Sequence, residues 1–251
     1  MKAILTYHSV DSSGSVISVP PATFDRHVRW MASSGVAVVP LQDLLRTDVE
    51  RDAIAITFDD AYTNFMEEAW PRLRDHGLPV TLFVPTAFTG KTNDWSALPG
   101  GDMPSLPILD WTRLNRLKDE GVSLGAHTRR HPDMRTLDAR QLEDEVWGSV
   151  EDLHRETGTK PEAFAYPYGF CGSAGLEIVR AACACACTTE LRPLRQGDDA
   201  HLLPRLDTFY LRGPAGIEHF GRRSFREYLR LRLQLRGLKQ RLLTGRATNG
   251  R

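Results

Sequence analysis

The sequence predicts an α/β barrel, and three observations carry that prediction. Seven short apolar runs alternate with longer helical patterns along residues 3–188. The runs are almost continuous in apolar residues, as expected of parallel strands covered on both faces. Clusters of Asp, His and Tyr fall directly after the runs, and a parallel barrel gathers all such strand ends on one rim. An open, doubly wound sheet is the competing arrangement.

Residues 3–6 read as the first strand, with His8 just past its end. Residues 21–33 form a helix that stops before Gly35, and residues 36–39 the second strand. A short helix at 41–45 leads to the third strand, 53–58, which ends in Asp59-Asp60. Residues 64–76 form a helix before Gly77, and 80–84 the fourth strand. The Gly/Pro-rich stretch 96–107 is a long loop on the face where barrel enzymes bind ligands, flanked by Trp95 and Trp111. The helix at 112–120 starts from Asp110-Trp-Thr and stops before Gly121; the fifth strand, 122–126, leads into His127. A helix at 139–157 follows Thr136-Leu-Asp and precedes Gly158. The sixth strand, 163–166, runs into Pro167-Tyr168-Gly169. Residues 174–182 form a last helix before the seventh strand, 183–188. Glycines just past four helices suit a left-handed C-cap. No repeat or low-complexity linker divides the chain.

Composition is that of a soluble globular protein, 41% hydrophobic and 25% charged, and 251 residues suffice for one large core. No stretch approaches the roughly 20 apolar residues of a membrane span. The start Met1-Lys2-Ala3-Ile4-Leu5-Thr6-Tyr7-His8 turns polar too soon for a signal peptide, which sets the expectation of a cytoplasmic protein. Cys183, Cys185 and Cys187 alternate with alanines, so an extended segment turns them to one face. A reduced, buried strand is the reading there, since one strand does not surround a tetrahedral metal; a zinc or redox cluster is the alternative. Net charge is zero but uneven. Residues 222–251 hold ten Lys and Arg against Glu227 alone, leaving 22 basic and 31 acidic residues in 1–221. An acidic body argues against a nucleic-acid partner.

Two constellations carry chemistry. Asp59-Asp60 ends an apolar strand, where adjacent side chains diverge; one carboxylate can bind a metal while the other faces substrate. Unpaired, they would repel each other, and a divalent cation relieves that. His127 and His131, four residues apart, are expected one helical turn apart on the same side, with Pro132 ending the turn. One aspartate and two histidines make a facial metal triad with open positions, and the spare aspartate can serve as base. This is the equipment of a metal hydrolase.

Thr57-Phe58-Asp59-Asp60, His127-Thr-Arg-Arg-His131 and Phe164-Ala165-Tyr166-Pro167-Tyr168-Gly169 resemble the three leading motifs of the polysaccharide deacetylase family, the NodB-homology domains of carbohydrate esterase family four. Residues 4–10 and Phe83-Val-Pro-Thr86 resemble one branch of it, and the resemblance covers roughly residues 3–210. It implies a distorted (β/α) barrel and hydrolysis of N-acetyl groups, usually on amino sugars. It implies that Asp60, His127 and His131 bind a divalent metal, commonly Zn2+, with Co2+, Ni2+ or Mn2+ as alternatives. It implies that Asp59 is the general base and that the Tyr168 N–H helps hold the oxyanion. Two departures matter. Ala165 stands where the family carries an arginine that pairs with the catalytic aspartate, and Arg205 is the candidate replacement; a surface arginine or a structural ion pair is its alternative. The late Leu-x-His motif that supplies the general acid is missing, which leaves His8, or else His201. Trp95 is a candidate to stack on a sugar face, with core or lid packing as its alternative for it and for Trp111.

The chain therefore divides into a catalytic domain, 1–215, and a basic amphipathic tail, 216–251. Phe225, Tyr228, Leu231, Leu235, Leu238 and Leu242 follow helical spacing. Such a helix docks on the acidic body or makes peripheral contact with anionic lipid. The expected substrate is an N-acetylated sugar or glycoconjugate precursor. An amidase or cyclic-imide hydrolase on a non-sugar substrate, and a catalytically silent protein that retains the metal, are the alternatives.

Overall fold

The computed structural model describes residues 1–46, 51–96, 104–213 and 216–234. Its strands are β1 (Lys2–Tyr7), β2 (Ser9–Val10), β3 (Ser18–Val19), β4 (Ala37–Val38), β5 (Ala53–Phe58), β6 (Val80–Val84), β7 (Ser123–Ala126), β8 (Ala163–Ala165), β9 (Cys185–Cys187) and β10 (Leu206–Asp207). Its helices are α1 (Pro21–Ser33), α2 (Leu41–Arg46), α3 (Trp70–Asp75), α4 (Trp111–Asp119), α5 (Ala139–Thr157) and α6 (Gly172–Ala182). The strands line up in parallel as β10-β1-β5-β6-β7-β8-β9, with β4 beside the start of β5. The sheet curls into a distorted (β/α) barrel. Its two ends are joined by the segment leading into β10. Leu203 N donates to Ala186 O and Thr188 N to Leu203 O, after which Leu206 and Asp207 pair with Leu5 and Thr6 of β1.

Strand alternation explains the two cores. Ile4, Ala55, Phe83, Ala163, Ala165, Cys185, Cys187 and Leu203 point inward and form one cluster, small enough for a narrow barrel. Leu5, Ile54, Ile56, Phe58, Leu82, Val84 and Phe164 point outward and pack under the helices. Gly125 makes the interior possible: a Cβ there would lie 2.4 Å from the Phe83 ring. The helices end as their glycines require, with Gly35, Gly77, Gly121 and Gly158 all at positive φ. Asp110 and Asp138 cap α4 and α5, the latter in a capping box with Gln141.

All seven expected parallel strands are present. The short β2, β3 and β10, two residues each, leave no sequence pattern to read. The single helix expected over 64–76 is instead a π-helical stretch, Phe65–Ala69, followed by α3. Pro71 explains this: it has no N–H to give and its ring crowds the preceding turn, so the backbone widens there. Cys183 also departs from expectation. It caps the end of α6 and packs in the outer cluster, whereas Cys185 and Cys187 face the interior. Burial pushes the thiols of Cys183 and Cys185 up to about 12, and no group of metal-ligand side chains among the described residues includes them.

Residues 223–234 are helical. Phe225 and Leu229 are buried against the body, and the Tyr228 hydroxyl donates to Tyr210 O at 2.6 Å. The docked line is therefore 225/228/229, and Leu231, expected on it, is 55% exposed. Leu235, Leu238 and Leu242 lie outside the described residues. Among the described residues no helix is long and apolar enough to cross a membrane.

A buried histidine ties α1 to the barrel. Tyr7 Oη donates to His27 Nδ1 at 2.9 Å, and His27 Nε2 faces Leu211 O at 3.2 Å, which fixes the neutral tautomer. Burial lowers this imidazole to about 4. Between pH 6.5 and 4 the unfolded chain therefore binds a proton that the folded chain refuses, and stability falls with acid over that window. The expected loss from this group is up to about 3 kcal/mol. Urea unfolding across that range should show a shallower pH slope in His27→Gln, which keeps a donor and an acceptor; an identical slope would contradict the assignment.

Candidate active site

The inward parity of β5 runs through Ala53, Ala55 and Thr57 to Asp59, so Asp59 enters the barrel interior at its C-terminal end. Arg205, on the closing segment, meets it there. Both Asp59 oxygens accept from the guanidinium at 2.7 Å, and both side chains are almost fully buried. Arg205 is itself held by Thr188 O at 2.9 Å and Thr57 Oγ1 at 3.3 Å. Burial alone would raise the Asp59 carboxyl; the Arg205 charge and its hydrogen bonds outweigh that and hold it below the usual carboxylate range. Ala165, also inward-facing, leaves the barrel centre open to Arg205.

At Asp60 the chain leaves the strand through two successive positive φ values, 70° at Asp60 and 52° at Ala61. The second carboxylate thereby turns away from the first. Asp60 Oδ1 lies 3.5 Å from His127 Nε2 and 3.5 Å from His131 Nε2. His127 Nδ1 donates to Ala165 O at 2.7 Å, so its Nε2 presents a lone pair to the same point. The two imidazole rings stand 4.8 Å apart at 72°. They do not lie on a helical turn, contrary to the sequence expectation. Thr128 and His131 both take positive φ, 59° and 56°, and His131 N bonds back to Thr128 Oγ1 at 3.0 Å. Backbone N–H groups of Thr86 and Ala87, at the exit of β6, take the Thr128 and Arg129 carbonyls that a helix would have used internally.

The three ligand atoms lie within 4.8 Å of one another, all buried. Asp60 Oδ1 is buried without a hydrogen-bond partner among the described residues. An orphaned carboxylate oxygen between two imidazole nitrogens, one with its tautomer fixed, fits a divalent cation. Without a cation, burial would lower both histidines, yet the Asp60 carboxylate raises His127 while His131 falls to about 3.

The remaining candidates distribute unevenly. His8, 23% exposed at the end of β1, places Nε2 3.7 Å from Asp59 Oδ2. Tyr168 sits in the turn Pro167–Gly169 at φ 58°, its ring 4.8 Å from that of His131. Gly169 is required there, because a Cβ would lie 2.1 Å from Thr189 Oγ1. Trp95 packs on His131 at 4.8 Å and on Phe88 at 4.5 Å, so it walls the site. Trp111 packs against the outer core. His201 is elsewhere: its ring bonds Cys183 O, before the start of β9. A cavity of about 210 Å³ joins His8, Asp59, Asp60, Trp95, His127, His131 and Tyr168. A groove of about 490 Å³ continues past Trp95, His131 and Tyr168 to Arg130, Arg135 and Phe170. A cavity of about 530 Å³ lies away from this site, beside Lys160 and Cys183. Sequence reasoning missed Thr57, which strand parity could have found. It also missed Val16 and Ile17, which line the cavity from a loop with no pattern.

Residues 46–182 match the family model described as polysaccharide deacetylase. Among curated proteins, the chain is 25% identical over 171 residues to the putative polysaccharide deacetylase YxkH of Bacillus subtilis, covering 66% of this chain and 56% of that protein. It is 27% identical over 121 residues to the peptidoglycan-N-acetylmuramic acid deacetylase PdaA of the same organism, covering 48% and 39%. The chain thus spans about half the length, or less, of these relatives. Its fold is similar to that of the Streptococcus pyogenes deacetylase PplD, with TM-score 0.69 and 22% identity over 82% of this chain and 91% of that one. IcaB from Ammonifex degensii gives the same values.

The raised His127 predicts competition between proton and metal. Metal uptake should displace protons from the histidines as pH falls below neutrality, and affinity should weaken with acid. Calorimetric Zn2+ titrations in buffers of different ionisation enthalpy read both quantities. An affinity that stays constant from pH 8 to 5 would exclude these histidines as ligands.

Proposed function

The chain belongs to the polysaccharide deacetylase family, and from that premise we propose that it removes an N-acetyl group from an amino sugar or glycoconjugate with the help of a divalent metal. The observation that carries this reading is the division of labour between adjacent carboxylates. Asp59 is charge-paired inside the barrel, and Asp60 has, among the described residues, an oxygen without a hydrogen-bond partner beside two imidazole nitrogens. Asp60, His127 and His131 would hold the metal, and a donor set of one carboxylate and two imidazoles suits Zn2+; when bound, it would supply Lewis acidity to the acetyl carbonyl and to the attacking water.

The chain's own residues would do the rest. Asp59, kept ionised by Arg205, takes the proton from water as its oxygen adds to the acetyl carbon. The Tyr168 N–H donates to the developing oxyanion. The C–N bond then breaks, the nitrogen takes a proton, and acetate and amine leave. His8, close to Asp59 and partly exposed, is the proposed donor of that proton. Trp95 and Tyr168 form apolar walls at the reacting group, and the groove toward Phe170 has room for a neighbouring ring. A sugar substrate draws support from relatives described as deacetylases of peptidoglycan and chitin. On the C-terminal helix, Leu231 remains exposed beside Arg230 and Arg232, and that side of the helix would meet an anionic lipid surface. Flotation with acidic liposomes should then be lost in Leu231→Glu; absence of wild-type flotation removes the lipid contact.

Acetate release from a panel of N-acetyl sugars and chitooligosaccharides, with added Zn2+, tests the activity; release from none of them returns the choice to the imide hydrolase or the silent binder. Asp60→Ala and His127→Ala should lose bound Zn2+. Asp59→Asn should retain it and lose about 10²–10⁴ in kcat. Full activity in metal-free Asp60→Ala protein would refute the triad. Arg205→Lys keeps the charge but not the two-point contact, so Asp59 should titrate higher and the acid limb of kcat/KM should move to higher pH. An unmoved limb would leave Arg205 without this role.

A further inference from the structure

Helix α5 carries Glu145, Gly148 and Asp152 along one face, at the spacing of a helix stripe. Residues 128–131 turn over that face. The buried Glu145 carboxylate accepts two successive backbone N–H groups on one oxygen, Arg129 N at 2.9 Å and Arg130 N at 2.8 Å. Its other oxygen accepts from the Arg130 guanidinium at 2.7 Å. Successive N–H groups that converge in this way form an anion nest, and here the anion belongs to the chain itself. Gly148 leaves space for Arg129, since a Cβ there would lie 2.5 Å from Arg129 Cδ. Asp152 then receives Arg129 Nε at 3.0 Å and Thr86 Oγ1 at 2.8 Å.

This turn needs such support. A β-branched residue and a histidine both sit at positive φ within four residues, and conformations of that kind persist only where the surroundings over-determine them. The two imidazoles differ in what else holds them. His127 is anchored by Ala165 O, whereas His131 Nδ1 has no hydrogen-bond partner among the described residues. The His131 ring is thus aimed by the backbone turn and by packing on Trp95 and Tyr168.

We propose that Glu145 is a positioning residue for the metal centre: its carboxylate templates the turn that sets His131 against His127 and Asp60, with Gly148 and Asp152 seating Arg129 beside it. The proposal rests on the metal-centre reading above. Glu145 forms no contact with the three ligand side chains, so its effect passes through two backbone N–H groups.

The test is Co2+ binding to the full metal-free chain, read by the visible absorption band and by chelator competition. Glu145→Ala should weaken Co2+ binding by about 10–100-fold and alter the band. Gly148→Ala should weaken it less, and Glu145→Gln, which keeps one carbonyl acceptor, should recover part of the loss. Asp144→Ala, which removes ion pairs only from the side chains of Arg129 and Arg130, should bind as wild type. A folded Glu145→Ala protein with unchanged affinity and band overturns the proposal. If that variant does not fold, unchanged affinity in both Glu145→Gln and Gly148→Ala overturns it equally. Wild-type affinity in His131→Ala would instead remove the metal centre itself, and the positioning role with it.

Discussion

A carboxylate at the centre of a narrow barrel needs a cation, and Arg205 is that cation. Moving either charge out of water alone would cost several kcal/mol, and a two-point contact with further hydrogen bonds is the geometry that offsets it. The pair at Asp59 meets those terms, with Thr57 and Thr188 accepting from two further guanidinium N–H groups. Much of the interior is arranged around it. Small inward residues such as Ala55, Ala163 and Ala165 leave the space that a buried arginine fills. The segment that joins β9 to β1 is also the one that delivers the guanidinium.

One residue later the problem is solved in the opposite way. Asp60 is turned out of the strand by a backbone conformation that few side chains adopt, and its Oδ1 has no hydrogen-bond partner among the described residues. Neighbouring carboxylates thus acquire distinct characters from their surroundings, one neutralised by the protein and one left, among the described residues, without a hydrogen-bond partner for an oxygen. The same economy recurs at the histidine turn, where α5 supplies the anion that the backbone N–H groups require.

Much of this was legible in the residues. Continuous apolar runs marked the parallel strands, and the polar groups directly after them marked the rim. What was not legible depends on atoms distant in sequence. A four-residue separation between His127 and His131 suggested a helical turn, because nothing nearby discloses that Thr86, Ala87 and Glu145 bind that backbone first. Arg205 could be named a candidate only because Ala165 is not an arginine; its seat depends on a closing strand two residues long. Leu231 fits the helical spacing of Phe225 and Tyr228 as well as Leu229 does, and only the way the helix docks on the body separates the buried Leu229 from the exposed Leu231. The widened turn before α3 was foreshadowed by Pro71, whose missing N–H is visible in sequence while the form of the accommodation is not.

The closing segment has a consequence for the order of events during synthesis. Asp59 and Arg205 are 146 positions apart, so the carboxylate emerges from the ribosome long before its counter-charge. Until residues 203–207 dock, β1 and β9 are bare sheet edges open to pairing with other chains. The same docking step covers both edges and brings the counter-charge that keeps the enclosed carboxylate ionised. An immature chain therefore carries two open edges and an unpaired carboxylate together, and it loses both at one moment.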